Sequence, residues 1–270
     1  MRNKKVRFVN TSRLYLLLSS FILLAFNTQA QNLSLGIRGG MSIPNLTAAA
    51  GDQTPLSTGY SSRLGADAGV FAEYKVTNMF SLELMAQYSE QGGKKNGMQA
   101  FTTPPAMAAL FPDGQAPQYL YANYNSESKL NYLMIPLLAK CGWDIKKSPF
   151  RVYIAAGPFV AFLVSAHQVT SGNSEFYTDA AGQNALPAGT QSFNATNDIK
   201  SQLHMANFGI EGNLGISYRL GHGNLFIEGG GNYGFLNIQK NSADGKNNTG
   251  AGTVDIGYSY NLGKIWKHKS

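Results

Sequence analysis

The stretch TVDIGYSYNL, residues 253–262, decides how this chain is read. Val254, Ile256, Tyr258, Tyr260 and Leu262 are apolar or aromatic, while Asp255, Gly257, Ser259 and Asn261 between them are polar or small. Successive side chains of a β-strand point to opposite faces, so the segment has one apolar face and one polar face.

Seven more segments repeat the pattern: Leu33–Ile43, Leu64–Val76, Met79–Ser89, Lys129–Trp143, Phe150–Ala166, Asn207–Leu220 and Leu225–Ile238. The sharpest sets Phe208, Ile210, Leu214, Ile216 and Tyr218 against Gly209, Glu211, Asn213, Gly215 and Ser217. The least clean is the fourth, where Met134 and Leu138 interrupt the polar side. Pro136 lacks the N–H a ladder needs and predicts a bulge or break there.

The connections alternate in length. Thr77–Asn78, Asp144–Ser148 and Gly221–Asn224 are turn-sized, while Pro44–Arg63, Glu90–Ser128, His167–Ala206 and Gln239–Gly252 are long. An even number of strands with short turns at one end and long loops at the other predicts an all-β fold: an eight-stranded antiparallel up-and-down transmembrane β-barrel with long extracellular loops. Strands of this length suffice for a tilted crossing, which takes about 9–11 residues. Both termini are then expected in the periplasm.

The N-terminus points the same way. Arg2, Lys4, Lys5, Arg7 and Arg13 precede an apolar run from Leu14 to Phe26, and Thr28-Gln29-Ala30 supplies small residues at a cleavage site. Residues 1–30 are predicted to be a signal peptide and residues 31–270 the outer-membrane barrel domain. The chain has 22 Lys+Arg and 15 Asp+Glu, and five of the basic residues lie in the leader. Without it the charges nearly balance, and no basic stripe remains for nucleic acid. Cys141 is the single cysteine, so no intrachain disulfide forms. No apolar stretch after the leader reaches the ~20 residues of a spanning helix. The competing fold is a soluble exported barrel with its apolar faces inward. That fold needs polar outward faces rich in Lys and Glu, whereas the polar faces here are mostly Gly, Ser and Asn.

Several segments resemble the PorT-like family, the outer membrane protein β-barrel domain of Bacteroidetes envelopes. They are Gly36-Ile37-Arg38-Gly39-Gly40-Met41-Ser42, Tyr132-Leu133-Met134-Ile135-Pro136-Leu137-Leu138, Ala156-Gly157-Pro158-Phe159-Val160 and Gly229 to Ile238. The second is the most specific. Met134 departs from that family's usual Glu, and the chain runs past Leu262 without a strand-terminal aromatic residue. The resemblance implies outer-membrane location and permits a part in type nine protein secretion. It assigns no activity.

The polar faces carry eight charges: Arg38, Asp67, Glu73, Glu83, Glu211, Arg219, Glu228 and Asp255. They are expected to form an ionic network plugging a narrow lumen, with Asp255 as partner to Arg38, because eight strands leave a bore that side chains fill. Residues 98–124 are unusually apolar for a loop. Phe101, Met107, Phe111, Tyr119, Tyr121 and Tyr124 are read as a contact surface or as a lid over the barrel mouth. His167 and His204 flank the third long loop without a nucleophile motif or ligand spacing, so no catalytic residue, metal site or cofactor is assigned. The expected partners are outer-membrane lipid, lipopolysaccharide and, on the resemblance, envelope or secretion proteins. The expected role is structural or binding, through the long loops. A secretion or envelope-assembly component is the alternative, and a lipid-modifying enzyme the third reading.

Overall fold

The computed structural model describes residues 32–112 and 114–264, so the leader predicted at 1–30 lies outside the described residues. Among the described residues there are eleven strands: β1 (Leu33–Ala48), β2 (Gly65–Lys75), β3 (Phe80–Thr102), β4 (Tyr119–Asp144), β5 (Phe150–Ser171), β6 (Asn173–Ser174), β7 (Gln191–Ser192), β8 (Ala195–Asp198), β9 (Ala206–Leu220), β10 (Gly223–Gly234) and β11 (Asn247–Asn261). Eight of them close a ring in the order β1-β2-β3-β4-β5-β9-β10-β11, each antiparallel to its neighbours. The segment that opens the sequence reading is the closing strand: β11 pairs with β1 from Ser34↔Asn261 to Ala48↔Asn247. Closure joins the first and last strands of the ring, which an all-β wall in lipid requires.

The barrel is inside-out relative to a water-soluble one. Ile37, Val70, Leu84, Leu214 and Ile256 are exposed on its outer wall, while Arg38, Asp67, Gln87, Glu211 and Asp255 are buried in its lumen. This overturns the soluble alternative, whose apolar faces point inward. Aromatic residues mark both rims of the apolar band. Phe150 and Tyr218 meet edge to face at the short-turn end, and Phe208 and Phe235 do so at the other. From Phe208 to Tyr218 along tilted β9 the band is ~25 Å tall, the height of a bilayer's apolar core.

One feature differs from the sequence reading, and the irregularity expected around Pro136 is present. The connection read as a loop over Glu90–Ser128 is mostly strand: β3 and β4 stay paired from Phe80↔Cys141 to Thr102↔Tyr119, so a hairpin rises well beyond the apolar band. Near Pro136, a register shift falls between Asn131 and Tyr132, and β4–β5 pairing lapses between Pro136↔Phe159 and Ala139↔Ala156. Met134 and Leu138, which blur the alternation of β4, are buried because that side of the lumen is itself apolar. One buried cluster holds Leu130, Tyr132, Met134, Phe159 and Leu163; a second holds Phe71, Met85, Leu138, Tyr153 and Phe226.

Candidate functional site

Strand parity points Arg38 of β1 into the lumen, where its guanidinium reaches across the bore. Nη1 donates to Glu228 Oε1 at 2.7 Å and Nη2 to Glu211 Oε1 at 3.0 Å, with Asp67 Oδ1 at 3.9 Å. These partners come from β10, β9 and β2, so one side chain ties together four strands of the ring. Each acid has further support. Tyr153 Oη donates to Glu228 Oε2 at 2.8 Å, Asn213 Nδ2 to Glu211 at 2.9 Å, and Gln87 Nε2 to both oxygens of Asp67 at 2.9 Å. Such added hydrogen bonds offset part of the cost of burying three carboxylates around one guanidinium, although Arg38 Nε and Glu211 Oε2 have no partner among the described residues.

A second cluster lies nearer the short turns. Lys140 Nζ bridges Glu73 at 3.1 Å and Glu83 at 3.2 Å, and sits 4.1 Å from the centre of the Tyr153 ring. Glycine makes room for these rings: a Cβ at Gly215 would strike the Tyr153 ring, and one at Gly257 the Phe226 ring. A ring laid across a glycine of the neighbouring strand covers the backbone and fills the bore.

The eight charges expected in the lumen therefore divide. Arg38, Asp67, Glu211 and Glu228 form the central cluster, and Glu73 and Glu83 belong with Lys140. Asp255 is buried beside the centre, but it is not the hydrogen-bonded partner expected for Arg38: across β1 and β11 it stands opposite Gly40, while Arg38 stands opposite Gly257. Arg219 is exposed at the short-turn rim, so solvent rather than the network receives it. Lys140 and Tyr153 are the important residues absent from the sequence reading. Both lie on the inward faces of β4 and β5, where apolar neighbours hide the polar alternation.

The lumen holds two separate cavities. One of about 410 Å³ opens at the short turns, lined by Glu73, Lys140, Arg151, Tyr153 and Arg219. The other, about 380 Å³, lies at the long-loop end. Arg38, Asp67, Tyr132, Met134 and Phe159 line neither and form the layer between them.

All four long connections contribute to that layer or to the far cavity. Leu203 and Ile238 pack with Leu46 and Leu130 as its floor. Arg63 anchors the first connection through Glu127 at 2.7 Å, Glu90 at 3.2 Å and the Gln91 carbonyl at 3.3 Å. Tyr60 and Lys95 close one side; Lys95 Nζ lies 4.3 Å from the Tyr60 ring centre and donates to the carbonyls of Pro55 and Leu56. Lys95 stands beyond the apolar band, and burial lowers its pKa to about 8.

Three of the aromatic residues read as a contact surface or a lid meet the third long connection. Tyr124 stacks on Phe193 at 4.4 Å, and Phe101 meets Phe176 edge to face at 5.5 Å. Tyr121 pairs backbone to backbone with Tyr177. The third long connection thus folds against the hairpin and covers three of the six residues, while Met107, Phe111 and Tyr119 sit half-buried near its tip. The segment also lines the mouth cavity through Gln99 to Thr102 and Tyr124, and Thr102 Oγ1 donates to the Ala243 carbonyl at 3.3 Å. His167 and His204 are both exposed, and among the described residues no group of three or more His, Cys, Asp or Glu could hold a metal.

An up-and-down ring with a lipid-facing band, aromatic rims and a polar, filled bore defines an integral membrane β-barrel. The family model described as "Outer membrane protein beta-barrel domain" matches residues 29–240, and the chain belongs to that family. Membership places it in the outer membrane. No curated protein matches the sequence. Among solved structures, Neisserial surface protein A is 12% identical, with 84% of this chain and 96% of that one covered and a TM-score of 0.38. The attachment invasion locus protein Ail of Yersinia pestis is 9% identical, with coverage of 85% and 99% and a TM-score of 0.32. The N-terminal barrel domain of Pseudomonas aeruginosa OprF is 14% identical, with coverage of 85% and 98% and a TM-score of 0.27.

Proposed function

We propose that this protein is a non-conducting outer-membrane barrel that acts as a binding protein through its long-loop end, with no catalytic role. In this reading the long loops face outward among lipid and lipopolysaccharide, and the short turns and both chain ends face the periplasm. The carrying observation is the layer between the two cavities: Arg38 with its three acids on one side, Tyr132, Met134 and Phe159 on the other. Purified protein in planar bilayers is expected to show no stable large conductance. A thiol-free variant (Cys141→Ser) carrying Thr190→Cys is expected to react with an impermeant maleimide on intact cells. A persistent large pore, or labelling only after the envelope is broken, would refute the reading.

A second reading, a component of a secretion or envelope-assembly complex in a PorT-like Bacteroidetes protein, draws on the resemblance of Tyr132–Leu138. It is favoured by an apolar groove on the outer wall, where Ala72 and Ala86 lie among Leu35, Val70, Leu84 and Ile135. Small residues of this kind let a transmembrane partner approach closely. Co-purification in mild detergent tests it, and a monomer without partners would dispose of it.

A further inference from the structure

We propose that the cavity at the long-loop end is a binding site for a neutral saccharide. The proposal deepens the binding role above and rests on it.

Three properties of the cavity carry the inference. Its floor is apolar, made by the buried Leu46, Leu130 and Leu203 with Ile238. Its walls are aromatic, from Tyr60, Phe101 and Tyr124. Between them stand neutral groups that both donate and accept hydrogen bonds: the hydroxyls of Tyr60, Tyr124 and Ser128 and the amide of Gln202. Among the described residues none of these four side chains has a hydrogen-bond partner, although Ser128 is only 7% exposed. None of the four is sealed from the cavity, so their donors and acceptors are free to pair with a ligand that both donates and accepts.

Charge narrows the ligand class. Lys95 and Asp244 are the charged side chains on the lining, one of each sign. The lysine is held by the carbonyls of Pro55 at 3.1 Å and Leu56 at 2.7 Å. A phosphorylated or sulfated ligand requires clustered Arg or Lys, which this wall lacks. A plain hydrocarbon would leave the hydroxyls and the amide dehydrated and unpaired. A sugar ring offers apolar C–H faces to tyrosine and leucine, and hydroxyls that donate and accept, to groups of the same kind. The volume of about 380 Å³ lies within the range of small-ligand sites.

The test uses the whole protein in lipid nanodiscs, which leave both ends of the barrel accessible. The probes are β-1,4-linked N-acetylglucosamine disaccharide and cellobiose as neutral ligands, with a sulfated disaccharide and toluene for comparison, followed by calorimetry or saturation-transfer NMR. At least one neutral disaccharide is expected to bind saturably. Tyr124→Phe and Gln202→Ala, checked for folding by heat-modifiable migration, are expected to weaken it about three- to tenfold each, the loss of one neutral hydrogen bond. The proposal fails if neither neutral disaccharide binds, if both variants bind unchanged, or if only the sulfated sugar or toluene binds. Because both ends are open in a nanodisc, a failure here is separate from a failure of the outward orientation or of the sealed lumen.

Discussion

Arg38 concentrates the energetics of the lumen in one side chain. Removing it leaves Glu211, Glu228 and Asp67 buried without their counter-charge, so Arg38→Met is expected to destabilise the barrel by about 3–5 kcal/mol. The readout is the urea midpoint in detergent micelles. Arg38→Lys keeps the charge but loses the two-pronged geometry, and should fall between the two. Tyr153→Phe removes one hydrogen bond to a carboxylate and should cost about 1.5–3 kcal/mol in the same assay. Most of this site is legible in the sequence because a period of two assigns each residue to a face. Parity does not give height or reach. Arg219 therefore carries the right face and the wrong depth, and Asp255 the right wall without the contact. Lys140 and Tyr153 escape because the inward faces of β4 and β5 are greasy, which removes the contrast that parity needs.

The strands make the lipid and lumen faces separately testable. Ile256, 58% exposed on the outer wall of β11, is flanked in sequence by the buried Asp255 and by Gly257, which seats the Phe226 ring. Ile256→Arg is expected to cost about 2–4 kcal/mol in a bilayer, the value for a cation near the midplane. Urea unfolding from liposomes, compared with the native protein, measures that cost, and an unchanged midpoint would show that Ile256 does not face lipid. Gly215→Val would displace the Tyr153 ring from its seat, and an overpacking penalty of about 1–3 kcal/mol is expected from equilibrium unfolding. The strands crossing the apolar band are legible because one face must be apolar throughout. The upper halves of β3 and β4 are not, because beyond lipid that demand ends: Gly92-Gly93 and Lys94-Lys95 look like a loop, yet backbone pairing with β4 continues through them.

At the scale of the molecule, the long-loop end is built from paired strands and packed connections, and Lys95 reports on it. Its pKa in the folded protein is lowered by burial from 10.5 to about 8. Between those two values the unfolded chain keeps a proton that the folded protein has released. Stability contributed through this lysine therefore rises with pH across that window, and is least below about pH 8. Unfolding midpoints measured from pH 7 to 10 should rise more in the native protein than in Lys95→Met. An equal slope in both would remove Lys95 from that role.

The closing seam between β1 and β11 has a consequence for how the chain is threaded. Ser34 and Asn261 face each other in register at the short-turn end, with a side-chain hydrogen bond of 2.6 Å between them. The first and last strands thus begin and finish at one spot, while the tight turn at Gly221–His222 is found at the same end, with β9 and β10 on either side of it. A short linker across the seam and a new start at that turn would yield a circular permutant with every ladder intact. In such a chain β10 comes first and β9 last. The order in which strands leave the ribosome would change, but the ring would not.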